Sequence, residues 1–306
     1  MELKQLRQFV MLAETLNFRR AAERLNMAQP PLSISLRKLE AGLGTQLFER
    51  TTREMHLTAF GRVFLDRARR TLFEADQALQ AARTAATGEE GTLTIGFVGT
   101  ATYAVLPDLV PAYRAAFPRV QLILRESTTT EILSQIERGT IDLGIVRTPL
   151  ARANRAHVTP IENDHLVLAL PVSHPLAQRP GIRLRDLEGE PFIAYSPNTV
   201  PSLHAVVMFA CQQAGFTPNV AQEAIQVQTI ISLVESGLGV ALVPSIVTRS
   251  GDGKTRFRRL PELDAMAPVS LAIAHAPQWE TAAARHFRTL AISRTPAPSD
   301  SRLGTA

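Results

Sequence analysis

The chain has 306 residues, with 33 Lys and Arg against 28 Asp and Glu for a formal charge of +5, and it is 45% hydrophobic and 20% charged. At about 150 residues per domain this suggests roughly two domains, and the composition excludes a wholly disordered chain, collagen and a coiled-coil rod. A lone cysteine, Cys211, can form neither an internal disulfide nor a cysteine zinc site. Glu2, Lys4 and Arg7 interrupt any apolar leader and no apolar run is long enough for a membrane span, so a cytoplasmic protein without membrane contact is expected.

Charge is unevenly spread along the chain. Residues 1–70 carry 13 Lys and Arg against 7 Asp and Glu, a net of +6, while the rest carry 20 against 21. This fits a basic module for a polyanion joined to a near-neutral body, or a solvated surface that is merely basic. Leu3, Leu6, Phe9, Val10 and Ala13 recur at helical spacing. Asn17 is placed to cap a short helix over 18–25, and a turn at 26–28 leads to a third helix. Pro30 and Pro31 suit a first helical turn, and Gly42 or Gly44 ends the helix.

On that third helix Leu32, Leu36 and Leu39 form a core-facing stripe. The other side presents Pro30, Ser33, Ile34, Arg37 and Lys38, with Gln29 at the helix start. A major groove accepts this set: arginine bonds guanine, glutamine an adenine edge, serine a phosphate or base, and an apolar group a thymine methyl. The pattern predicts a helix-turn-helix. Leu47, Phe48, Met55 and Leu57 then flank a polar tip holding Arg50 and Arg53, as in a hairpin wing. Those arginines either clamp phosphates or are simply solvated.

Thr58 precedes a long helix over 59–87, whose apolar stripe includes Phe60, Phe64, Ala68, Leu72 and Leu79. A helix about 40 Å long cannot bury such a stripe alone. It either pairs with a second copy or lies on its own domain. Residues 88–91, Gly-Glu-Glu-Gly, read as a hinge.

From residue 92 onward strand-like and helix-like patterns alternate, predicting an α/β body with mostly parallel strands in two sets, hence two lobes and a cleft. Ligands of such sheets bind beyond the carboxyl ends of strands, where helix N-termini favour anions. The candidates there are Thr100, Ala101, Thr102, Thr128, Thr129 and Arg147 from the first set, and Ser202, Leu203 and Val227 from the second. Each has a plainer reading, since Thr and Ser at helix starts are often only caps and Arg147 could merely pair with an acid. No motif for a catalytic site, a metal or a cofactor occurs. Lying among Val206, Val207, Met208, Phe209 and Ala210, Cys211 reads as a small core residue rather than a redox sensor.

Phe18, Ala21-Ala22, Leu25, Gln29-Pro30, Leu32-Ser33, Leu39-Glu40, Leu43-Gly44, Leu47-Phe48-Glu49-Arg50 and Leu57-Thr58 together resemble the N-terminal signature of LysR-type transcriptional regulators. Within that family Ala28-Gln29-Pro30-Pro31-Leu32-Ser33 and Gly96-Phe97-Val98-Gly99 look nearest to the branch that senses aromatic-degradation intermediates such as muconate, which carries serine where Thr100 stands and phenylalanine where Leu203 stands. The resemblance implies a winged helix-turn-helix over 1–58, a linker and dimerisation helix over 59–88, and a periplasmic-binding-protein-like effector domain over 92–295. Lobe one would span about 92–161 and 268–295, lobe two about 162–267, with a disordered tail at 296–306. It places Thr100, Thr129 and Arg147 in the effector cleft. It further implies double-stranded DNA, a small organic anion, RNA polymerase and a homodimer assembling into a homotetramer as partners. The competing class is a small-molecule binding protein or enzyme built on the same two-lobed body.

Overall fold

A computed structural model describes residues 1–50, 55–84, 90–250 and 253–294. Contacts divide the chain into two compact units, the first comprising residues 1–86 and a short segment at 137–140, the second the remainder.

In the first unit α1 (Leu3–Thr15), α2 (Phe18–Arg24) and α3 (Gln29–Leu43) follow one another closely. The Asn17 side chain accepts from the Arg20 N–H and so starts α2. Gly44 ends α3 in the left-handed conformation, φ 70°, which side chains disfavour. Strands β1 (Phe48–Arg50) and β2 (Met55–Leu57) pair antiparallel, Phe48 opposite Leu57, forming the expected wing. The wing tip, with Arg53, lies outside the described residues. Leu6, Phe9, Leu12, Leu32, Leu36 and Leu39 are buried together with Leu47 and Phe48. Burying each such side chain contributes roughly 1.5–3 kcal/mol.

Helix α4 (Ala59–Thr84) begins where the Thr58 hydroxyl accepts from the Gly61 N–H at 2.8 Å. Its N-terminal half lies partly on its own unit: Ala68 is buried, and the Phe64 ring sits 5.1 Å from Phe9. Arg69–Glu14 (2.9 Å) and Arg7–Asp76 (3.0 Å) join it to α1. Phe60, Val63 and Leu79 stay exposed, so only part of the predicted stripe is covered within the chain.

The second unit carries two sheet systems. In the first, β3 (Gly91–Phe97), β4 (Val120–Glu126) and β5 (Leu143–Thr148) run parallel, and β12 (Val269–His275) lies antiparallel between β5 and β6 (His157–Asp164). Helices α5 (Val105–Ala116), α6 (Thr129–Glu137) and α10 (Ala282–Ser293) accompany it. In the second, β7 (Leu166–Pro171) is flanked antiparallel by β10 (Ala241–Pro244) and β11 (Thr255–Arg259). There β8 (Pro191–Tyr195) pairs parallel with β9 (Asn219–Ala224), and a bridge from Phe192 to Val240 ties the two pieces together. Helices α7 (Pro201–Gln213), α8 (Val227–Glu235) and α9 (Pro261–Met266) complete this lobe.

The expectation of mostly parallel strands is corrected: among the described residues four of the seven named strand pairings in the body are antiparallel. Two of the four arise from the passages of the chain between lobes, and the other two lie within lobe two, where β10 and β11 both run against β7. Strand β6 leaves lobe one at Asp164, and β12 returns from lobe two and runs against both its neighbours. The predicted end of the linker helix near 87 and the tail at 296–306 also fall outside the described residues.

Candidate functional site

Two surfaces carry the candidate residues. On α3 the buried Leu32, Leu36 and Leu39 fix the helix's rotation, because residues three or four apart share a face. That rotation leaves Gln29, Pro30, Ile34, Arg37 and Lys38 exposed and Ser33 half-buried. Ile34 is 49% exposed, an apolar side chain among polar ones that nothing among the described residues of its unit covers. The Arg37 Nε donates to the Ser33 carbonyl at 3.4 Å, a weak bond that leaves the guanidinium free for other partners. Arg50 closes β1 opposite Met55.

The second surface is a pocket enclosing about 410 Å³ of space open to solvent. Because β3, β4 and β5 are parallel, their carboxyl ends emerge together, and the following segments 98–100, 127–129 and Arg147 form one wall. Lobe two supplies the other wall: Tyr195 at the end of β8, Val200 and Leu203 at the start of α7, and Ile225, Gln226 and Val227 at the start of α8. The chain segment after β3 is a 3-10 turn, Gly99–Tyr103, which precedes α5.

Arg147 is the only formally charged side chain in the lining, and it is 3% exposed. Its Nη1 donates to Asp164 at 2.7 Å and its Nη2 to the Thr100 hydroxyl at 2.7 Å, while its backbone N–H donates to the Thr129 hydroxyl at 3.0 Å. Burial pulls the guanidinium below its ordinary value, and Asp164 opposes that pull; an arginine so placed keeps its proton. Two donors of lining residues, Arg147 Nε and the Tyr195 hydroxyl, are buried and have no hydrogen-bond partner among the described residues. Burial pushes the Tyr195 phenol well above its usual value, so it is a neutral donor. A buried donor left unpaired costs about 1–3 kcal/mol, so an acceptor that a small shift of the lining let reach either one would be favoured.

The family profile described as "Bacterial regulatory helix-turn-helix protein, lysR family" matches residues 3–62, and that described as "LysR substrate binding domain" matches residues 86–295. This chain belongs to the LysR family. It is 39% identical over 272 residues to the HTH-type transcriptional regulator AlsR of Bacillus subtilis, covering 89% of this chain and 90% of AlsR. To the HTH-type transcriptional regulator CatR of Pseudomonas putida it is 38% identical over 274 residues, covering 89% and 92%. The solved structure of full-length CbnR complexed with its target DNA superposes with a TM-score of 0.75 at 28% identity, covering 97% of this chain and all of that one. The protein is therefore a LysR-family DNA-binding transcriptional regulator with an effector-binding domain, and not an enzyme.

For this LysR-family chain, Thr100, Thr128, Thr129, Arg147, Leu203 and Val227 line the pocket as the sequence suggested. Ala101, Thr102 and Ser202 do not. Ala101 is turned into the core, Thr102 is exposed with its hydroxyl donated to the Gly99 carbonyl at 2.6 Å, and Ser202 is buried beside the lining at the start of α7. The plain capping reading holds in part for Thr128, whose hydroxyl accepts from the Glu131 N–H at 3.4 Å. The acid paired with Arg147 is Asp164, which the sequence reading did not identify. Tyr195 was also missed, although a polar-tipped aromatic ending a predicted strand was a usable signal. Cys211 is fully buried, and burial pushes its thiol up to about 12, against a redox role.

Proposed function

We propose that this regulator binds a small organic carboxylate, or an aromatic-derived acid, in the pocket between its lobes, and that binding alters how its dimer meets DNA. The observation that carries the sensing half is the pair of unpartnered buried donors, Arg147 Nε and the Tyr195 hydroxyl, among hydroxyls and helix starts. The N-termini of α6 and α8 also face this region through Thr129 and Val227, which favours negative charge. Thr100, Thr128, Thr129, Arg147, Leu203 and Val227 are the proposed contacts. Kinship with the branch that senses aromatic-degradation intermediates is part of this proposal and rests on the residues at 28–33 and 96–99.

On DNA, Gln29, Pro30, Ser33, Ile34, Arg37 and Lys38 are the proposed groove-reading face, with Arg50 and Arg53 of the wing on phosphates. Exposed Phe60, Val63 and Leu79 on α4 support a homodimer through the linker helix, which sets the spacing of two recognition helices. The proposed domains are 1–58, 59–88 and 92–295. A homotetramer working with RNA polymerase in the cytoplasm completes the proposal. An effector acts only by binding one arrangement of lobes and dimer better than another.

A thermal-shift screen of small carboxylates on the full-length protein tests the sensing half. A true effector raises the melting temperature by an amount that grows with the logarithm of its concentration over its dissociation constant. A full panel of aliphatic and aromatic acids without any shift overturns it.

A further inference from the structure

Arg147 would be expected to give the pocket a positive charge, but the charge is already compensated. Asp164 holds it at 2.7 Å, and the two side chains are only 4% and 1% exposed. Asp164 is itself held in place: its other oxygen, Oδ1, accepts from the His165 N–H at 2.8 Å, the Ser245 hydroxyl at 2.6 Å and the Ile246 N–H at 3.3 Å. It ends β6, where the chain leaves lobe one, and Ser245 and Ile246 belong to lobe two. The carboxylate is therefore locked from both lobes and cannot swing away to free Arg147 for a ligand.

A further negative charge stands at the rim. A Cβ built on Gly99, a lining residue, would lie 2.7 Å from an oxygen of Glu126, so this carboxylate borders the opening. Away from the Arg147–Tyr195 pole, much of the wall is Val98, Val200, Leu203 and Ile225. One anionic group finds the two unpartnered donors and the helix starts. A second finds mostly apolar wall, the neutral Gln226 amide or the bordering Glu126, and no uncompensated cation lies in the lining. At short range in a partly desolvated site, like charges repel by kilocalories rather than tenths.

We propose that Asp164, which does not line the pocket, is a specificity-determining residue: by neutralising Arg147 it makes the site accept a monocarboxylate with an apolar body and reject the matching dicarboxylate. This deepens the proposed carboxylate-sensing function and rests on it.

The test is calorimetry on the full-length protein at about pH 8. Three matched pairs serve as probes: sorbate with trans,trans-muconate, benzoate with terephthalate, and butanoate with succinate, with the amides of sorbic, benzoic and butanoic acids as neutral controls. In at least one pair the monocarboxylate should bind about ten-fold or more tighter than its dicarboxylate. Asp164→Asn should shrink that ratio by a similar factor, whereas a purely structural role would weaken both members equally. If Asp164→Asn does not fold, Ser245→Ala, which removes one of the hydrogen bonds holding the Asp164 carboxylate, should still narrow the ratio a few-fold. A dicarboxylate bound as tightly as its partner by the wild type, or an unchanged ratio in the variant that folds, overturns the role of Asp164 and leaves the carboxylate reading standing. Amides that bind as well as acids, or no binding by any probe, overturn that reading itself and the inference with it.

Discussion

Arg37 stands on the exposed side of α3, four residues after Ser33 and opposite the buried Leu36 and Leu39. Replacing it with alanine should lose about 1–3 kcal/mol on the cognate operator and relax base preference at one position. Equal loss on operator and random DNA, measured by fluorescence anisotropy, would show that it touches only phosphate. In the pocket, Thr100→Val and Thr129→Val remove hydroxyls that accept from Arg147. Both variants should lose the thermal shift given by the effector while retaining DNA binding. Thr129→Val should in addition cost about 1–3 kcal/mol of stability, because the Arg147 N–H is left without an acceptor. Unchanged effector affinity in both variants contradicts their placement. Residue types at strand ends were thus readable in the sequence, but their partners were not. Asp164 sits in a polar run at a lobe crossing, and nothing local marks it as the counter-ion of a residue 17 positions earlier.

At the scale of elements, the helix-turn-helix was legible because its caps and stripe agree: Asn17 starts α2, Gly44 stops α3, and Leu32, Leu36 and Leu39 fall inside. Strands β6, β9 and β11 were not foreseen as strands. They carry little buried apolar surface, with Ile161 the buried residue of β6 and Ala224 that of β9, and β11 is Thr-Arg-Phe-Arg-Arg. Edge strands of this kind lack an apolar run or an alternation to read. In β6, Pro160 stands beside the bulge opposite Leu271 and Ala272, a place where a missing N–H is tolerated. The junction of wing and linker makes a sharper test. A Cβ on Gly61 would collide with the Leu47 backbone carbonyl, which cannot give way as a flexible side chain would. Gly61→Ala should therefore destabilise the DNA-binding unit by about 1–3 kcal/mol, seen as a lower first transition in calorimetry of the full chain. An unchanged transition would mean that α4 can tilt off the wing at no cost.

At the scale of the whole molecule, the excess positive charge of residues 1–70 belongs to the unit that carries the exposed α3 face, and the near-neutral remainder carries the pocket. Val63, 65% exposed on α4, is the site at which the proposed pairing is most easily broken. Val63→Glu should shift the sedimentation of the protein toward the monomer and weaken operator binding about ten-fold or more, because two linked half-sites bind far more tightly than one. A variant that sediments and binds like the wild type would place the dimer contact elsewhere. The α3 helix enters a DNA groove in this proposal, and the rest of the protein controls it. Anisotropy of the full-length protein on DNA from upstream of its own gene, across a salt series, tests it most directly. Tight binding is expected, its logarithm falling linearly with the logarithm of salt, over a footprint of half-sites about one helical turn, or a multiple of one, apart. Binding no tighter than to random DNA at low salt, with or without a carboxylate that raises the melting temperature, would contradict it.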